Sequence, residues 1–271
     1  MSEIMKVKLN NNVEMPKIGL GTWDLRGKTA EKAVKWAIEA DYRLIDTAEM
    51  YGNEIRIGKA INSVDIPRDE LFITTKVWEN NHGYDKTLKA FEKSMNKLKV
   101  DYIDLYLIHW PRKLRHETWK ALEELLEENK VRAIGVSNFT INHLKELIEQ
   151  SSTVPSVNQV EFNPFLYQKQ LLEFCKSRNI QLEAYSPLTR AHKLNNPKID
   201  KISDKHNKSS AQILLRWGIQ HGIVVIPKSG SKNHIQENIN IFDFQLDDSD
   251  MEILDNMNEN YRVVDDPCFS Y

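Results

Sequence analysis

The chain alternates short apolar runs with longer segments in which apolar residues recur every three or four positions. Short apolar or β-branched runs bounded by polar or turn-forming residues are typical of buried strands. The three-to-four spacing is typical of amphipathic helices. Eight runs are predicted to be strands, at residues 18–20, 43–45, 71–75, 105–108, 133–136, 157–160, 182–185 and 224–226.

The segments between these runs carry apolar stripes that predict helices packed on a sheet. One stripe contains Ala30, Ala33, Val34, Ala37 and Ile38, and another contains Leu88, Phe91, Met95 and Leu98. Ser209 followed by Gln212 matches a capping box, in which the two side chains satisfy free backbone N–H groups at a helix start. We therefore expect a helix to begin there, and we interpret the stripes as ordinary core packing.

Eight β–α alternations without a break in composition favour a closed (β/α)8 TIM barrel, an α/β fold built as one domain over residues 1–271. The alternative is an open doubly wound sheet, which usually binds dinucleotides through a GxGxxG loop. Gly19-Leu20-Gly21 lacks the third glycine, and no other segment matches that pattern. The weak alternation of residues 7–15 around an Asn-rich turn predicts a small N-terminal β-hairpin.

Composition and charge exclude several classes of function. The formal charge of −2 and the absence of long basic runs argue against nucleic acid and anionic membranes as partners. Cys175 and Cys268 have no CxxC or Cys/His spacing, so neither a disulfide scaffold nor a bound metal is expected. The N-terminus has no apolar signal region and no run approaches the ~20 residues of a membrane span. We expect a cytoplasmic protein.

The candidate chemistry lies where predicted strands end. The sequence Asp46-Thr47-Ala48-Glu49-Met50-Tyr51-Gly52-Asn53-Glu54 follows one strand, and Lys76 and His109 come at the ends of two others. Because strand C-termini converge on one face of a barrel, Asp46, Tyr51, Lys76 and His109 can meet. A Lys ammonium beside a phenol lowers the phenol pKa and an Asp keeps the Lys charged, so such a Tyr can pass a proton to a carbonyl oxygen.

This set resembles the aldo-keto reductase family, and the similarity runs from Gly19-Leu20-Gly21-Thr22-Trp23 to Glu237-Asn238. The resemblance implies a barrel whose bottom is closed by the N-terminal hairpin. It also implies the roles of the four residues. Tyr51 is the general acid, Lys76 lowers the Tyr pKa, Asp46 anchors Lys76, and His109 orients the carbonyl.

The resemblance further implies a set of nicotinamide cofactor contacts. Ser137, Asn138 and Gln159 hold the carboxamide, the Tyr185 face stacks on the nicotinamide ring, and Lys228 and Ser229 hold the 2′-phosphate of NADPH. The complete set is Thr22, Trp23, Ser137, Asn138, Gln159, Tyr185, Ser186, Leu188, Lys228, Ser229, His234, Glu237 and Asn238.

Two positions depart from the family pattern. Thr189 replaces a glycine in the loop after the seventh strand, which predicts an altered pyrophosphate loop. His234 replaces the usual Arg. A neutral imidazole grips phosphate less well than a guanidinium, so NADH use is expected to be possible beside NADPH.

Trp23, Trp78 and Trp110 follow three strands and either wall a substrate pocket or fill the core; the resemblance favours the pocket. In the family the C-terminal tail closes over the substrate, and the short tail here, 262–271, predicts an open pocket and broad specificity.

The sequence is thus interpreted as a monomeric NADP(H)-preferring reductase of small-molecule aldehydes and ketones. Two alternatives stay open: a non-catalytic nucleotide-binding relative, and a barrel aldolase that uses Lys76 as a Schiff-base nucleophile.

Overall fold

The computed structural model describes residues 6–267 and contains one small antiparallel hairpin and one eight-stranded parallel sheet. The hairpin strands are β1 (Lys6–Lys8) and β2 (Glu14–Pro16). The strands of the large sheet are β3 (Gly19–Gly21), β4 (Leu44–Asp46), β5 (Phe72–Val77), β6 (Ile103–Ile108), β7 (Val131–Ser137), β8 (Val157–Glu161), β9 (Gln181–Tyr185) and β10 (Val224–Val225).

Helices connect consecutive strands of the large sheet, and the last two helices follow its final strand. The helices are α1 (Gly27–Glu39), α2 (Glu54–Ile61), α3 (Tyr84–Leu98), α4 (Arg115–Glu127), α5 (Ile141–Gln150), α6 (Lys169–Ser177), α7 (Pro197–His206), α8 (Ser210–Gln220), α9 (Lys232–Ile239) and α10 (Asp248–Asp255). No helix within residues 6–267 is both long enough and apolar enough to cross a membrane.

The sheet closes into a barrel. Each strand from β3 to β10 pairs in parallel with its sequence neighbours. The two edges are joined by parallel bridges between Ile18 and Val225 and between Gly21 and Lys228, and by a 3.1 Å hydrogen bond from the Gly21 N–H to the Pro227 carbonyl. The (β/α)8 TIM barrel predicted from the alternation is therefore confirmed.

The hairpin covers the amino-terminal end of the barrel. Leu9 and Met15 are buried in one cluster with Leu44, Phe72 and Val157, each of which begins or nearly begins its strand. This apolar plug leaves the opposite, carboxyl-terminal end of the barrel for polar groups.

A second apolar layer lies between the sheet and the helices, and glycine allows one close approach within it. The predicted stripe of α1 is wholly buried. Gly58 in α2 lies against the end of α3, where a Cβ atom would stand 2.6 Å from the carbonyl oxygen of Leu98. The two helices can therefore pack at this distance only because residue 58 has no side chain.

The predicted strands agree with the observed ones within one or two residues at each end. Ser209 caps α8 and makes the predicted capping box with Gln212. The stripe of α3 is partly different, because Leu88 and Met95 are only partly buried while Thr87 and Ser94 take fully buried positions.

Candidate active site

A buried ion pair lies at the carboxyl-terminal end of the barrel. Lys76, inside β5, is fully buried, and its Nζ lies 2.7 and 2.8 Å from the two carboxylate oxygens of Asp46, the last residue of β4. Nζ also donates to the Thr47 carbonyl at 3.0 Å. Burial, the largest single effect, acts to lower the pKa of Lys76, but the opposing effects, led by Asp46, together raise it, so the amine stays charged.

Tyr51 meets this pair from a short 3-10 turn, Glu49–Tyr51, in the loop after β4. Lys76 Nζ donates to the phenol oxygen at 3.4 Å. Burial raises the pKa of Tyr51 above its ordinary value, while the charge of Lys76 acts to lower it. Lys76 therefore acts on the phenol pKa in the predicted direction, but burial has the larger effect and the pKa of Tyr51 is raised overall.

His109 directly follows β6 and packs edge-on against Tyr51, with the ring centroids 5.7 Å apart. Trp78 packs against the same imidazole at 5.2 Å. Burial, followed by the charge of Lys76, holds the pKa of His109 well below its ordinary range, so the imidazole is neutral at pH 7. Its Nδ1 is buried and has no hydrogen-bond partner among the described residues.

The loop that carries Tyr51 is fixed by three of its own polar residues, which the sequence reasoning did not assign. Asn53 accepts from Thr47 Oγ1 at 2.7 Å and donates to the Thr22 carbonyl at 2.8 Å. Glu49 accepts from the Trp78 N–H at 3.0 Å, and Glu54 accepts from Thr75 Oγ1 and from Lys97. These contacts hold the phenol in place beside Lys76.

A second carboxyl group, that of Glu183, is linked to the ion pair through Gln159 and was also missed. Gln159 Nε2 donates to Asp46 Oδ2 and to Glu183 Oε2, each at 2.8 Å. Glu183 is fully buried, and burial, reinforced by the charge of Asp46, raises its pKa to about 8.

The predicted carboxamide and ring contacts are close to one another. Tyr185, the last residue of β9, donates its hydroxyl to Asn138 Oδ1 at 2.7 Å, and Asn138 Nδ2 donates to the His109 carbonyl at 3.0 Å and to Ser137 Oγ at 3.2 Å. Asn138 adopts a left-handed backbone, with φ of 65°. These bonds place Ser137, Asn138 and Tyr185 beside the catalytic candidates.

The loop after β9 has an unusual backbone. Ser186, Thr189, Arg190 and Ala191 all have positive φ values, between 47° and 67°. The Arg190 guanidinium carbon lies 4.2 Å from the ring centroid of Trp23, which is 40% exposed. Through this contact the loop after β9 reaches the loop after β3. Leu188, in the same loop as Arg190, is half-buried.

The predicted phosphate contacts surround the start of α9. Lys228 is exposed, Ser229 is buried with Oγ accepting from the Ser231 N–H at 3.1 Å, and His234 is exposed on the first turns of α9. Within the described chain, Ser231 makes no side-chain cap on the free N–H groups of this helix. A positive charge and uncapped N–H groups together suit an anion. Glu237 and Asn238 follow on the same helix.

The tryptophans of the predicted substrate pocket differ in exposure. Trp110 is 8% exposed and Trp78 is half-buried.

Glu161, at the end of β8, accepts backbone hydrogen bonds from Val263 at 2.8 Å and Val264 at 3.1 Å. The tail is thus tied to a strand end as far as residue 264, while residues 268–271 of the predicted tail lie outside the described residues.

Cys175 is buried and unpaired, and Cys268 lies outside the described part of the chain. Residues 6–267 contain no group of three or more His, Cys, Asp or Glu side chains that could hold a metal ion.

Comparison with known proteins identifies the family. The sequence model of the Aldo/keto reductase family matches residues 17–259. The chain is 52% identical over 266 residues to a 9,11-endoperoxide prostaglandin H2 reductase of Trypanosoma cruzi (strain CL Brener), covering 96% of this chain and 94% of the relative. It is 51% identical over 263 residues to a glyoxal reductase of Bacillus subtilis (strain 168), covering 96% and 95%.

Solved structures agree with the sequence comparison. An aldo-keto reductase from a Medee basin deep-sea metagenome library superposes with a TM-score of 0.94 at 48% identity, covering 96% of this chain and 97% of that one. A Bombyx mori aldo-keto reductase in complex with NADP superposes with a TM-score of 0.93 at 35% identity, covering 98% and 96%. The resemblance seen in the motifs is confirmed: the chain belongs to the aldo/keto reductase family and is an oxidoreductase.

Proposed function

We propose that this oxidoreductase reduces aldehydes and ketones with NADPH, and that Tyr51 donates the proton. The observation that carries the proposal is the chain of contacts from Asp46 through Lys76 to the Tyr51 phenol. Lys76 donates to the phenol oxygen, so the phenol O–H hydrogen remains free for a substrate oxygen. A phenol with a raised pKa is fully protonated at pH 7, which is the form that a general acid requires.

His109 positions the substrate in this proposal. Its imidazole is neutral, and Tyr51 and Trp78 pack against it edge-on. A neutral imidazole can donate one N–H to the carbonyl oxygen without competing with the phenol as an acid. As the phenol proton moves to the substrate oxygen, the developing phenolate is stabilised by the Lys76 ammonium, whose charge Asp46 balances.

The residues around the barrel mouth fit a nicotinamide dinucleotide. The Tyr185 ring, held by Asn138, offers a flat face, and the uncapped start of α9 beside Lys228 offers N–H donors and a positive charge for phosphate. When bound, NADPH supplies the hydride. The NADP complex of the silkworm relative supports this cofactor for the present chain.

NADH use is the finer part of the proposal and depends on His234. His234 is exposed on the first turn of α9, close in sequence to Lys228 and Ser229, at the position where the family has an Arg for the 2′-phosphate. Imidazole gives one donor when neutral, against the five of guanidinium. We therefore expect a smaller preference for NADPH over NADH than an Arg would confer.

The environment of Lys76 argues against the aldolase alternative. A Schiff-base lysine must lose its proton, whereas the charge and hydrogen bonds of Asp46 act to raise the pKa of Lys76. Borohydride treatment in the presence of aldehydes should therefore leave Lys76 unmodified.

Further parts of the proposal concern the state of the protein. We propose a cytoplasmic monomer in which residues 1–271 form one domain, acting on small carbonyl compounds through a pocket walled by Trp23, Trp78 and Trp110. Light scattering after size exclusion tests the monomer, and a dimer mass would contradict it.

The activity is tested by following the oxidation of NADPH and NADH with a panel of aldehydes, dicarbonyls, ketones and sugars. We expect turnover with aldehydes, and we expect the rate to saturate at a lower concentration of NADPH than of NADH. Binding of NADPH without turnover of any carbonyl compound would favour the non-catalytic alternative.

A further inference from the structure

Glu183 lies inside the barrel next to a predicted cofactor contact. It is on β9, and its register partner on β8 is Gln159. Neighbouring residues in register point to the same face of a sheet, so both side chains enter the barrel interior. Glu183 is fully buried and Gln159 is 1% exposed.

Gln159 uses both amide hydrogens on carboxyl groups. Its Nε2 donates to Asp46 Oδ2 and to Glu183 Oε2, each at 2.8 Å. Asp46 is also paired with Lys76 and acts as an acceptor. The amide nitrogen must therefore face the two carboxyl groups, which turns the amide carbonyl, Oε1, the other way.

The surroundings of Glu183 favour its neutral form. Its Oε1 is buried and has no partner among the described residues. The hydrogen bonds of Lys76 Nζ go to Asp46, the Thr47 carbonyl and Tyr51. A buried carboxylate oxygen without a donor is costly, and the carboxyl group of Asp46, which pairs with Lys76 at 2.7 Å, lies close by. The raised pKa of Glu183, caused first by burial and then by Asp46, agrees with this geometry.

We propose that Glu183 is a positioning residue: as a neutral acid it holds, together with Asp46, the Gln159 amide so that Oε1 is presented to the carboxamide N–H of a bound nicotinamide. The inference rests on the proposed function for its cofactor. Glu183 acts through Gln159 and does not touch the reacting atoms. It deepens the role of Gln159 by naming what sets the orientation of its amide.

The first test compares NADPH with its 3-acetylpyridine analogue, in which a methyl group replaces the carboxamide nitrogen. Dissociation constants are measured by quenching of tryptophan fluorescence in wild type, Glu183→Gln and Glu183→Met. Wild type should bind NADPH more tightly than the analogue by about 3- to 10-fold, the range of one neutral hydrogen bond. Glu183→Gln keeps an uncharged acceptor and should keep this ratio. Glu183→Met removes the acceptor and should reduce the ratio by half or more.

Two results would overturn the proposal. An unchanged ratio in Glu183→Met would mean that Asp46 alone orients Gln159. A ratio lost equally in Glu183→Gln and Glu183→Met would mean that the charge of Glu183 is required. Gln159→Met serves as the reference for complete loss of discrimination.

The second test needs no cofactor and no folded Glu183→Met protein. An infrared difference spectrum, wild type minus Glu183→Gln, recorded at mildly acid to neutral pH should show the C=O stretch of a protonated carboxyl group. A difference containing carboxylate bands instead would overturn the neutral form. A wild type that binds neither nucleotide would contradict the proposed function, while the infrared result would still decide the state of Glu183.

Discussion

Replacing Glu183 by Gln should change how the stability of the protein depends on pH. Burial raises the pKa of Glu183 from 4.5 to about 8. Between these two values the folded protein holds a proton that the unfolded chain has released. The free energy of unfolding contributed by this group is therefore fully present below pH 4.5 and is lost as the pH rises through 8. Glutamine does not titrate, so the variant lacks this contribution.

The size of the effect follows from the linkage relation. One extra bound proton gives a slope of about 1.4 kcal/mol per pH unit. Between about pH 5.5 and 7.5 the folded side chain stays mostly protonated while the unfolded one is mostly ionised, so wild type should lose about 2.5 kcal/mol relative to Glu183→Gln. Titrating groups that do not interact with Glu183 are present in both proteins and largely cancel in the difference.

The assay is equilibrium unfolding in guanidinium chloride at several pH values, followed by circular dichroism and by tryptophan fluorescence to check that both report one transition. Glu252→Gln, which removes an exposed carboxylate from α10, is the matched control and should follow wild type. A difference between wild type and Glu183→Gln that stays flat with pH, or that grows in favour of wild type as pH rises, would refute the reasoning.

Three further outcomes follow from the structure. Lys76→Met should abolish most turnover and move any remaining Tyr51-linked pH profile upward, since the charge that opposes the raised phenol pKa is gone; an unmoved profile in an active variant would make Lys76 structural. His234→Arg should tighten NADPH binding while leaving NADH binding unchanged in titrations of both cofactors; equal effects on the two would place His234 outside the phosphate site. Gly58→Ala should cost about 1–3 kcal/mol of stability without lowering turnover per folded molecule, because a Cβ would press on the Leu98 carbonyl; a melting temperature equal to wild type would contradict this.

The fold was predictable because its signals are local and repeated. Each barrel strand is a short apolar run and each helix carries a stripe, so alternation alone implied the barrel. The ends of the strands were predicted less accurately than their existence. Lys76 was expected after its strand but lies inside β5, because the strand continues to Val77 despite the charged residue.

The site was predictable where its residues belong to one compact motif, and less so where contacts cross the barrel. Asp46 and Tyr51 stand in one recognisable segment. Glu183 was missed because a single acid within an apolar run reads as a polar position on a strand. The role proposed for Glu183 depends on its register with Gln159 and on the hydrogen bond from Gln159 to Asp46 across the barrel. Such contacts depend on closure of the sheet, which no local pattern encodes.

The loop after β9 shows a similar limit. Thr189, Arg190 and Ala191 all have positive φ values, which favour glycine. That Thr189 in place of glycine alters the pyrophosphate loop stays a prediction. The contact of Arg190 with Trp23 could not be predicted, because it joins loops that are far apart in sequence.

The central claim is that the Tyr51 phenol supplies the proton, and the single-turnover rate of Tyr51→Phe with NADPH and an aldehyde tests it most directly. Phenylalanine keeps the ring that packs on His109 and removes only the hydroxyl that Lys76 contacts. The rate should fall by about 10²- to 10⁴-fold, the usual contribution of a general acid, while the dissociation constant of NADPH stays near that of wild type. Tyr84→Phe, which removes an exposed hydroxyl from α3, should reduce at the wild-type rate. A Tyr51→Phe protein that reduces aldehydes as fast as Tyr84→Phe would contradict the account.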